Sequence, residues 1–321
     1  MNIFQNKLIA EMRPDDAIEG HFDAKSLGCK MTNSGKPFLS GVIADKSKEA
    51  PCVLWGYDPE TKIAEQCSGK IVWLRGNVSE YQGSVQVVLT EIRPLADGEQ
   101  YDKSRLAPVA PIDDKAARQR LNELISSIED KEIRDFCKEI AKRFGQVIVE
   151  LPAAKKMHHA FIHGLLMHVR YMMEMANFVG QLYGRVVNRD LLIAGALAHD
   201  VAKGYEFVTN ELGIVTDYSV PGCLLGHLYM GAKEVEKICS ELGISEEKSL
   251  LLQHMVLSHH GKPEFGACVR PQTAEAVALN FIDDFDAKME MFRELYEQQP
   301  AGTMSEKAVF GLDARIYHPN I

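Results

Sequence analysis

The sequence predicts a multidomain β + α protein in which a small β-barrel precedes an all-α domain. Short alternating apolar segments occupy residues 36–95, whereas apolar residues beyond residue 114 recur at helical spacing. Between these regions, Pro108 and Pro111 lie in a stretch with few large apolar side chains, which is typical of a linker. The sequence therefore predicts a β domain over residues 1–98, a linker over 99–114 and a helical domain over 115–321.

Four segments of the β domain are rich in Val, Ile and aromatic residues: KPFLSGVIADK, PCVLWGY, KIVWLRGNVSEY and SVQVVLTEIRPL. They are separated by turn-forming pairs, namely Asp58-Pro59, Ser68-Gly69 and Gln82-Gly83. Residues 14–30 could supply one further strand. Short strands at this spacing predict a small barrel or sandwich.

The helical domain begins with DDKAARQRLNELISSIED, which has an acidic start followed by apolar residues on one helical face. Further helices are predicted at about residues 132–144, 161–183, 189–202, 223–242, 245–260 and 271–297.

Composition restricts the class of protein and its location. Apolar residues make up 46% and charged residues 25% of the chain, which is ordinary for a soluble globular protein. No apolar run approaches the roughly 18 residues of a membrane helix, and the N-terminus lacks an apolar signal core. The seven cysteines include no CxxC pair, which argues against a disulfide framework or a thiolate zinc site. We therefore expect a cytoplasmic protein without a membrane partner.

The net charge of −9 is unevenly distributed along the chain. Residues 1–95 hold 11 Lys and Arg against 12 Asp and Glu, so the remainder holds 25 against 33. Because no global basic field is present to attract nucleic acid, any such binding must use a local groove or bound metal ions.

Histidines are concentrated in the helical domain. Nine of the 11 histidines lie between His158 and His260, a window of about a third of the chain. Histidine is the commonest metal ligand and titrates near neutral pH. This density therefore indicates a chemical role for the region.

The segment LLIAGALAHDVAKG predicts an apolar helix that ends in His199-Asp200. The imidazole can supply a metal ligand, and the carboxylate can bridge two cations. Lys203 shares the face of these residues and could hold an anionic substrate. An isolated His-Asp pair also fits a capped helix end with solvated side chains.

Other segments supply His168, His227, His259-His260 and the acidic run Asp283, Asp284 and Asp286. A lone histidine on an apolar helix face is more often a hydrogen-bonded core residue, and His168 fits that description too. Acidic residues within an apolar helix need a partner or a metal ion. The order H…HD…H…HH…D along a helical chain is more specific than any one of these segments.

This order is similar to that of the HD superfamily of metal-dependent phosphohydrolases. The whole chain resembles the YhaM-type bacterial 3′-to-5′ exoribonucleases, in which an OB-fold precedes an HD domain. The resemblance rests on HHAFIHGLLMH, AHDVAK, LLGHLYMG, SHHGKPEFGACVRPQTAEA and FIDDFDAKM, which span about residues 158–290. The OB-like part, over about residues 14–95, rests on the strand pattern and on phrases such as GKIVWLRGNVSEYQG.

The resemblance implies two divalent metal ions, with manganese preferred and cobalt, magnesium or iron as substitutes. One ion would be held by His168, His199, Asp200 and Asp283, and Asp200 would bridge to a second held by His227, His259 and His260. Asp286 is the alternative to Asp283. The resemblance also implies catalytic roles for Asp200, Lys203 and His159, the last two on the substrate side.

Three residues depart from the family pattern. His163 replaces one of two glycines, Met167 stands where an acidic residue is usual, and Ala202 replaces the glycine of HDIGK. None of the three is a proposed ligand, although each could alter the channel or the substrate.

The β domain offers a second candidate surface, because OB-folds bind single strands through aromatic and basic side chains. The nucleic-acid-binding residues predicted in this domain are Trp73, Arg75 and Tyr81, and Trp73 and Arg75 share a strand face. Phe38, Trp55 and Tyr57 are further aromatic candidates. Each aromatic also fits the barrel core.

The favoured function is a 3′-to-5′ exoribonuclease that releases nucleoside 5′-monophosphates from single-stranded RNA, with DNA as a further substrate. One alternative is a nucleotide or cyclic-nucleotide phosphohydrolase, although the phrase KGYEF lacks the GYP motif of cyclic-dinucleotide enzymes. Another is a non-catalytic nucleic-acid-binding adaptor. The apolar helical domain is also compatible with a homo-oligomer.

Overall fold

The computed structural model describes residues 7–81, 83–155 and 159–321 and contains two compact units, Met1–Pro108 and Val109–Ile321. The boundary between the units falls inside the segment 99–114 that the sequence predicts as a linker. Three residues or segments of the sequence analysis lie outside the described residues: the N-terminal segment MNIFQN, Gln82 of the predicted turn, and His158.

The first unit contains a closed five-stranded barrel in the order β1-β2-β3-β5-β4. All strand pairs are antiparallel except β3 with β5. This order is that of an OB-fold and confirms the predicted OB-like barrel. The strands are β1 Ala17–Met31, β2 Pro37–Ala44, β3 Glu49–Trp55, β4 Lys70–Tyr81 and β5 Ser84–Pro94.

Alternation along the strands builds the barrel core, which includes the buried side chains of Phe22, Leu39 and Leu74. Two short helices, α1 Ile63–Cys67 and α2 Lys103–Leu106, were not predicted. Helix α1 is only five residues long and buries just Ala64 and Cys67, so it carries almost no helical periodicity.

The second unit is helical, as predicted, and each predicted helix is present. Its helices are α3 Asp114–Ser126, α4 Lys131–Glu150, α5 Gly164–Leu182, α6 Arg189–Ala198, α7 Lys203–Glu206, α8 Val220–Leu242, α9 Glu246–Ser258 and α10 Ala274–Gln298. Polar side chains cap several N-termini by accepting backbone N–H bonds, which fixes where each helix begins. These caps are Asp113, Asp130, Asn188, Ser219 and Thr273.

Helix α6 lies at the centre of this unit, and each of its residues from Leu191 to Ala198 is buried. Its small residues let neighbouring helices approach closely. A Cβ atom at Gly195 would lie 2.0 Å from the methyl carbon of Met255 on α9. The tight packing around α6 holds the two residues that follow it, His199 and Asp200, inside the core.

Two hairpins of the second unit were not predicted from the sequence. Strands β6 Phe207–Thr209 and β7 Val215–Tyr218 form one, and β8 Thr303–Met304 and β9 Tyr317–His318 form the other. Each has strands of two to four residues, which is too short for a period-2 pattern to emerge. Among the described residues, the helices include none that is long and apolar enough to cross a membrane.

Candidate metal centre and nucleic-acid surfaces

The His199-Asp200 pair lies at the buried C-terminal end of α6. Nδ1 of His199 donates a hydrogen bond to the carbonyl oxygen of Ala196 at 2.9 Å. Since a carbonyl only accepts, this bond fixes the tautomer and leaves the Nε2 lone pair of His199 available as a ligand. The backbone of the preceding helix thus orients the imidazole.

His168 on α5 and Asp283 on α10 meet His199 at one point. Nε2 of His168 lies 3.2 Å from Nε2 of His199 and 3.3 Å from Oδ1 of Asp283. Asp286 lies on the other side of the His168 ring, with its Oδ2 atom 2.7 Å from Nδ1. This geometry favours Asp283 over Asp286 as the ligand and makes Asp286 the group that orients His168.

Carboxylates determine the charge of this cluster. Burial lowers the pKa of His168, but Asp283 and Asp286 outweigh it and raise that pKa to about 10, so a cation that binds His168 must displace its proton. Burial raises the pKa of Asp200, whereas Lys203 and His199 more than compensate and hold it well below its usual range. Both carboxylates that face the centre, Asp200 and Asp283, are therefore ionised at neutral pH.

A second group of imidazoles lies beside the first. The rings of His259 and His260 have centroids 4.3 Å apart, and that of His227 lies 5.2 Å from His260. Nδ1 of His259 donates to the carbonyl of Val256 at 2.8 Å, so its Nε2 is free to act as a ligand. Burial and neighbouring imidazoles lower the pKa values of His259 and His260, which keeps both rings neutral, the form that binds metals.

Backbone geometry turns His227 toward this group. Gly226 has φ 71° and ψ 157° and interrupts helix α8 immediately before His227. Side chains are excluded from this region of backbone space, so the interruption requires glycine. Glu206 on the short helix α7 then accepts from the backbone N–H of His227 at 3.1 Å and lies 3.0 Å from its Nδ1 atom.

Asp200 connects the two groups. Its Oδ2 atom lies 3.2 Å from Nε2 of His199, whereas its Oδ1 atom lies 3.5 Å from Nε2 of His227 and 3.7 Å from Nε2 of His259. Within the described part of the chain, Oδ1 of Asp200 and Nε2 of His227 have no hydrogen-bond partner although both are buried. Burying such atoms without a partner is costly.

The donor set fits divalent cations. Ligand atoms of His168, His199 and Asp283 lie within 4.8 Å of one another, as do those of His227, His259 and His260. A mixture of imidazoles and carboxylates is a donor set that divalent cations commonly use. The unpartnered buried atoms of Asp200 and His227 gain partners if cations bind between the groups.

Lys203, for which the sequence predicts a substrate-side role, lies beside Asp200 at the cavity wall. Its Nζ atom is 2.5 Å from Oδ2 of Asp200 and 2.6 Å from the carbonyl oxygen of Ala153. It lines a cavity of about 980 Å³ together with five of the proposed ligands, namely His168, Asp200, His259, His260 and Asp283. The cavity lies entirely within the second unit.

His159, for which the resemblance implies a substrate-side role, is not among the residues that line the cavity. Its side chain is 0% exposed, and Nε2 lies 3.4 Å from Oδ2 of Asp286. Its ring centroid is 5.2 Å from that of His168. Because His159 contacts Asp286 and His168 and does not line the cavity, its position fits a role in orienting these two residues.

Two residues that support the proposed ligands were not predicted from the sequence. Glu206 orients His227, and Asn280 donates from Nδ2 to the carbonyl oxygen of His259 at 2.7 Å. Glu206 falls in KGYEF, where nothing indicates burial. The only available signal was its position a few residues after the His-Asp pair.

Two of the three predicted nucleic-acid residues of the barrel, Trp73 and Arg75, are engaged with protein groups. Trp73 lies beneath two guanidinium groups, 4.7 Å from that of Arg93 and 5.3 Å from that of Arg75. Arg75 forms an ion pair with Glu19 at 2.9 Å, which neutralises much of its charge. Tyr81 is 57% exposed at the end of β4.

A different aromatic pair is better placed for stacking. The rings of Phe38 on β2 and Trp55 on β3 lie 4.9 Å apart, and Trp55 is 56% exposed. Tyr57, another aromatic candidate, is buried in the barrel core. The outward-facing pair of Phe38 and Trp55 is therefore the stronger candidate platform.

Comparison with known proteins identifies the family of the chain. Residues 165–288 match the family model described as HD domain, so the helical unit is an HD-type domain. The chain is 35% identical to the 3′-5′ exoribonuclease YhaM of Halalkalibacterium halodurans, over 95% of this chain and 94% of the relative. It is 35% identical to that of Shouchella clausii over 97% and 96%, respectively. The chain belongs to the YhaM family.

Two solved structures of small nucleic-acid-binding domains each match about a quarter of the chain. A domain of replication protein A from Methanococcus maripaludis matches with 20% identity and a TM-score of 0.23, covering 27% of this chain and 92% of that domain. The mitochondrial single-stranded DNA binding protein Rim1 from S. cerevisiae matches with 12% identity and a TM-score of 0.22, covering 27% and 100%. The assignment of the barrel rests on its strand order.

Proposed function

We propose that this protein is a metal-dependent 3′-to-5′ exoribonuclease that releases nucleoside 5′-monophosphates from single-stranded RNA. The observation that carries the proposal is the position of Asp200, whose two oxygens face two separate histidine groups at a cavity wall. Membership of the YhaM family supports the reaction and the substrate. The helical domain, residues 115–321, is the catalytic part, and the barrel, residues 1–98, binds nucleic acid. Residues 99–114 form the linker that connects the two domains.

Two divalent ions fit the ligand groups. One would be held by His168, His199, Asp200 and Asp283, and the second by Asp200, His227, His259 and His260. Manganese is the preferred ion, with cobalt, magnesium or iron as substitutes. When bound, such ions neutralise phosphate charge and favour ionisation of the attacking water.

Residues of the chain prepare the site for this chemistry. The carbonyls of Ala196 and Val256 each fix one imidazole tautomer, and Asp286 and Glu206 orient His168 and His227. Lys203 places a positive charge at the cavity wall, beside the position of nonbridging phosphate oxygens.

The partner of the barrel is single-stranded RNA, with DNA as a further ligand. The exposed ring of Trp55, which is tilted against that of Phe38, can accept a base of any identity because every base has an aromatic face. A cytoplasmic location and self-association of the helical domain stay predictions. The free state of all seven cysteines is compatible with a reducing compartment.

An end-labelled assay tests the proposal. Metal-stripped full-length protein is supplied with manganese and given 5′-labelled single-stranded RNA, single-stranded DNA or small nucleotides. We expect a manganese-dependent ladder shortened from the 3′ end, with release of nucleoside 5′-monophosphates.

Matched variants separate the possible outcomes. Asp200→Asn should abolish the ladder while Asp217→Asn, an exposed acidic residue of β7, leaves it unchanged. Intact oligomers beside hydrolysed small nucleotides would replace the proposal with a nucleotide phosphohydrolase. RNA binding without turnover under any divalent ion would indicate a binding adaptor.

A further inference from the structure

We infer that the rim of the catalytic cavity holds the nucleotide that is released, with its base against Phe265 and Phe281 and its phosphate near Lys262 and Arg270. This inference rests on the proposed function, since it assigns a subsite within the same cavity. All four residues line that cavity together with the proposed ligands His260 and Asp283.

The first observation is the exposure of the two aromatic rings. Phe265 and Phe281 are each 67% exposed, although both line a concave site. Large aromatic side chains left open to water at the wall of a cavity indicate a surface that a ligand covers. A nucleobase is the part of the proposed substrate that can stack on an aromatic ring.

The second observation is that the loop carrying Phe265 is held firmly. The backbone N–H of Phe265 donates to the carbonyl of Lys262 at 2.9 Å, and the N–H of Cys268 donates to the carbonyl of Leu257 at 3.0 Å. The turn also fits tightly against α10, because a Cβ atom at Gly261 would lie 2.6 Å from the side chain of Asn280. An aromatic ring on a preorganised loop binds a base with little loss of entropy.

The third observation concerns charge. Among the residues that the structure describes, no carboxylate lies within ion-pair distance of Lys262 or Arg270. Lys288, which lines the same cavity, is instead paired with Asp284 at 2.6 Å. Two cations without ion pairs are notable in a part of the chain that carries excess negative charge, and they suit a phosphate.

The volume of the cavity is large enough for a nucleotide. Ligand pockets of roughly 300–1,000 Å³ hold molecules of the size of a nucleotide. The cavity here has a volume of about 980 Å³, which leaves room for a nucleotide and the adjoining phosphate. Because stacking does not read the edges of a base, the subsite should accept all four nucleotides.

Calorimetric titration of full-length, manganese-loaded protein tests the inference directly. The two ligands are adenosine 5′-monophosphate and ribose 5-phosphate, which differ only in the base. We expect the nucleotide to bind about tenfold more tightly, because stacking on an aromatic side chain contributes on this scale. Phe265→Ala and Phe281→Ala should each reduce this ratio severalfold without changing the affinity for ribose 5-phosphate.

Control variants show whether a change in affinity comes from the base, from the phosphate or from neither. Phe285→Ala, one turn after Phe281 on the same helix and 54% exposed but outside the cavity lining, should leave both affinities unchanged. Lys262→Ala and Arg270→Ala should weaken both ligands equally. Phe265→Leu keeps apolar bulk and should give a smaller loss than alanine, which separates stacking from a general effect on folding.

Equal binding of the two ligands by the wild-type protein would overturn the inference, as would a loss after Phe285→Ala that matches Phe265→Ala. Failure of the proposed function gives a different result. In that case the RNA ladder is absent, while the preference for the nucleotide over ribose 5-phosphate and its loss in the phenylalanine variants persist.

Discussion

The two histidine groups around Asp200 are supported in different ways. The first triad, His168, His199 and Asp283, projects from the packed helices α5, α6 and α10. The second triad, His227, His259 and His260, comes from the interrupted start of α8 and from the end of α9. Packing of long helices positions the first triad, whereas local backbone geometry positions much of the second.

This difference predicts unequal tolerance to change. Helices in a close-packed core move little when one contact is altered. The placement of His227 depends instead on one glycine and on Glu206 of a four-residue helix. We therefore expect single substitutions to separate the two triads, with the second the easier to disrupt.

The largest effect is expected at Asp200, which both triads share. Asp200→Asn retains the size of the side chain but removes the charge between the triads. Losing several kcal/mol of transition-state stabilisation corresponds to roughly a thousandfold lower rate or more. Steady-state RNA hydrolysis measures this loss, and circular dichroism checks that the helical fold remains. Residual activity within tenfold of the wild type would contradict the shared role.

The next largest effect is expected from substitution of Gly226, which should weaken ion binding at the second triad alone. Gly226→Ala introduces no clash, since no heavy atom lies within 4 Å of the new Cβ position. The cost is therefore backbone strain, of about 1–3 kcal/mol. Manganese titration should show weakened binding of one of two ions, and thermal unfolding a lower midpoint.

Gly145→Ala is the matched control for that variant. Gly145 lies within helix α4 and also has open space at its Cβ position, but its backbone is helical. Alanine should stabilise this helix by about 0.5–1 kcal/mol without changing ion binding. Equal destabilisation by the two variants would show that strain at Gly226 is not the cause.

Smaller losses of ion affinity are expected when the groups that orient the histidines are substituted, with a different ion affected in each case. Glu206→Gln should weaken one ion and Asp286→Asn the other, each by about tenfold, the lower end of the effects seen for such orienting groups. The amides can still accept a hydrogen bond, which limits the loss. Ion affinity measured by competition with a fluorescent chelator distinguishes the two sites. Weakening of the same ion by both variants would refute the separation of the triads.

The smallest effect is expected at His163, where the resemblance to the family implies a glycine. It has φ 63°, a left-handed conformation, and donates from Nδ1 to the carbonyl oxygen of Val149 at 2.6 Å. His163→Gly relieves backbone strain but loses this hydrogen bond, so the two changes should cancel to within about 1 kcal/mol. Differential scanning calorimetry should give a nearly unchanged midpoint, with both ions retained.

Much of the fold could be predicted from the sequence. The long helices carry a sustained apolar period, and the strands β2 to β5 are rich in β-branched residues. Helix α7 and the hairpin that follows were missed, because they bury too little surface to leave a pattern. The position of Glu206 could not be inferred, since it depends on this unpredicted segment packing beside His227.

The roles of the site residues likewise could be predicted from the sequence only in part. Sequence order suggested the metal ligands, but side-chain direction decides between neighbours such as Asp283 and Asp286. Both lie on α10 three residues apart, and only the structure places them on opposite sides of the His168 ring. Likewise, burial of His159 and the ion pair of Arg75 depend on tertiary contacts that a local pattern cannot contain.

The number of manganese ions bound per chain tests the central claim most directly. Elemental analysis and electron paramagnetic resonance would compare the wild type with His168→Ala and His227→Ala. Two triads joined by Asp200 predict two ions with a spin-coupled signal in the wild type, and one uncoupled ion in either variant. A single ion in the wild-type protein, or loss of all manganese from both variants, would contradict the account.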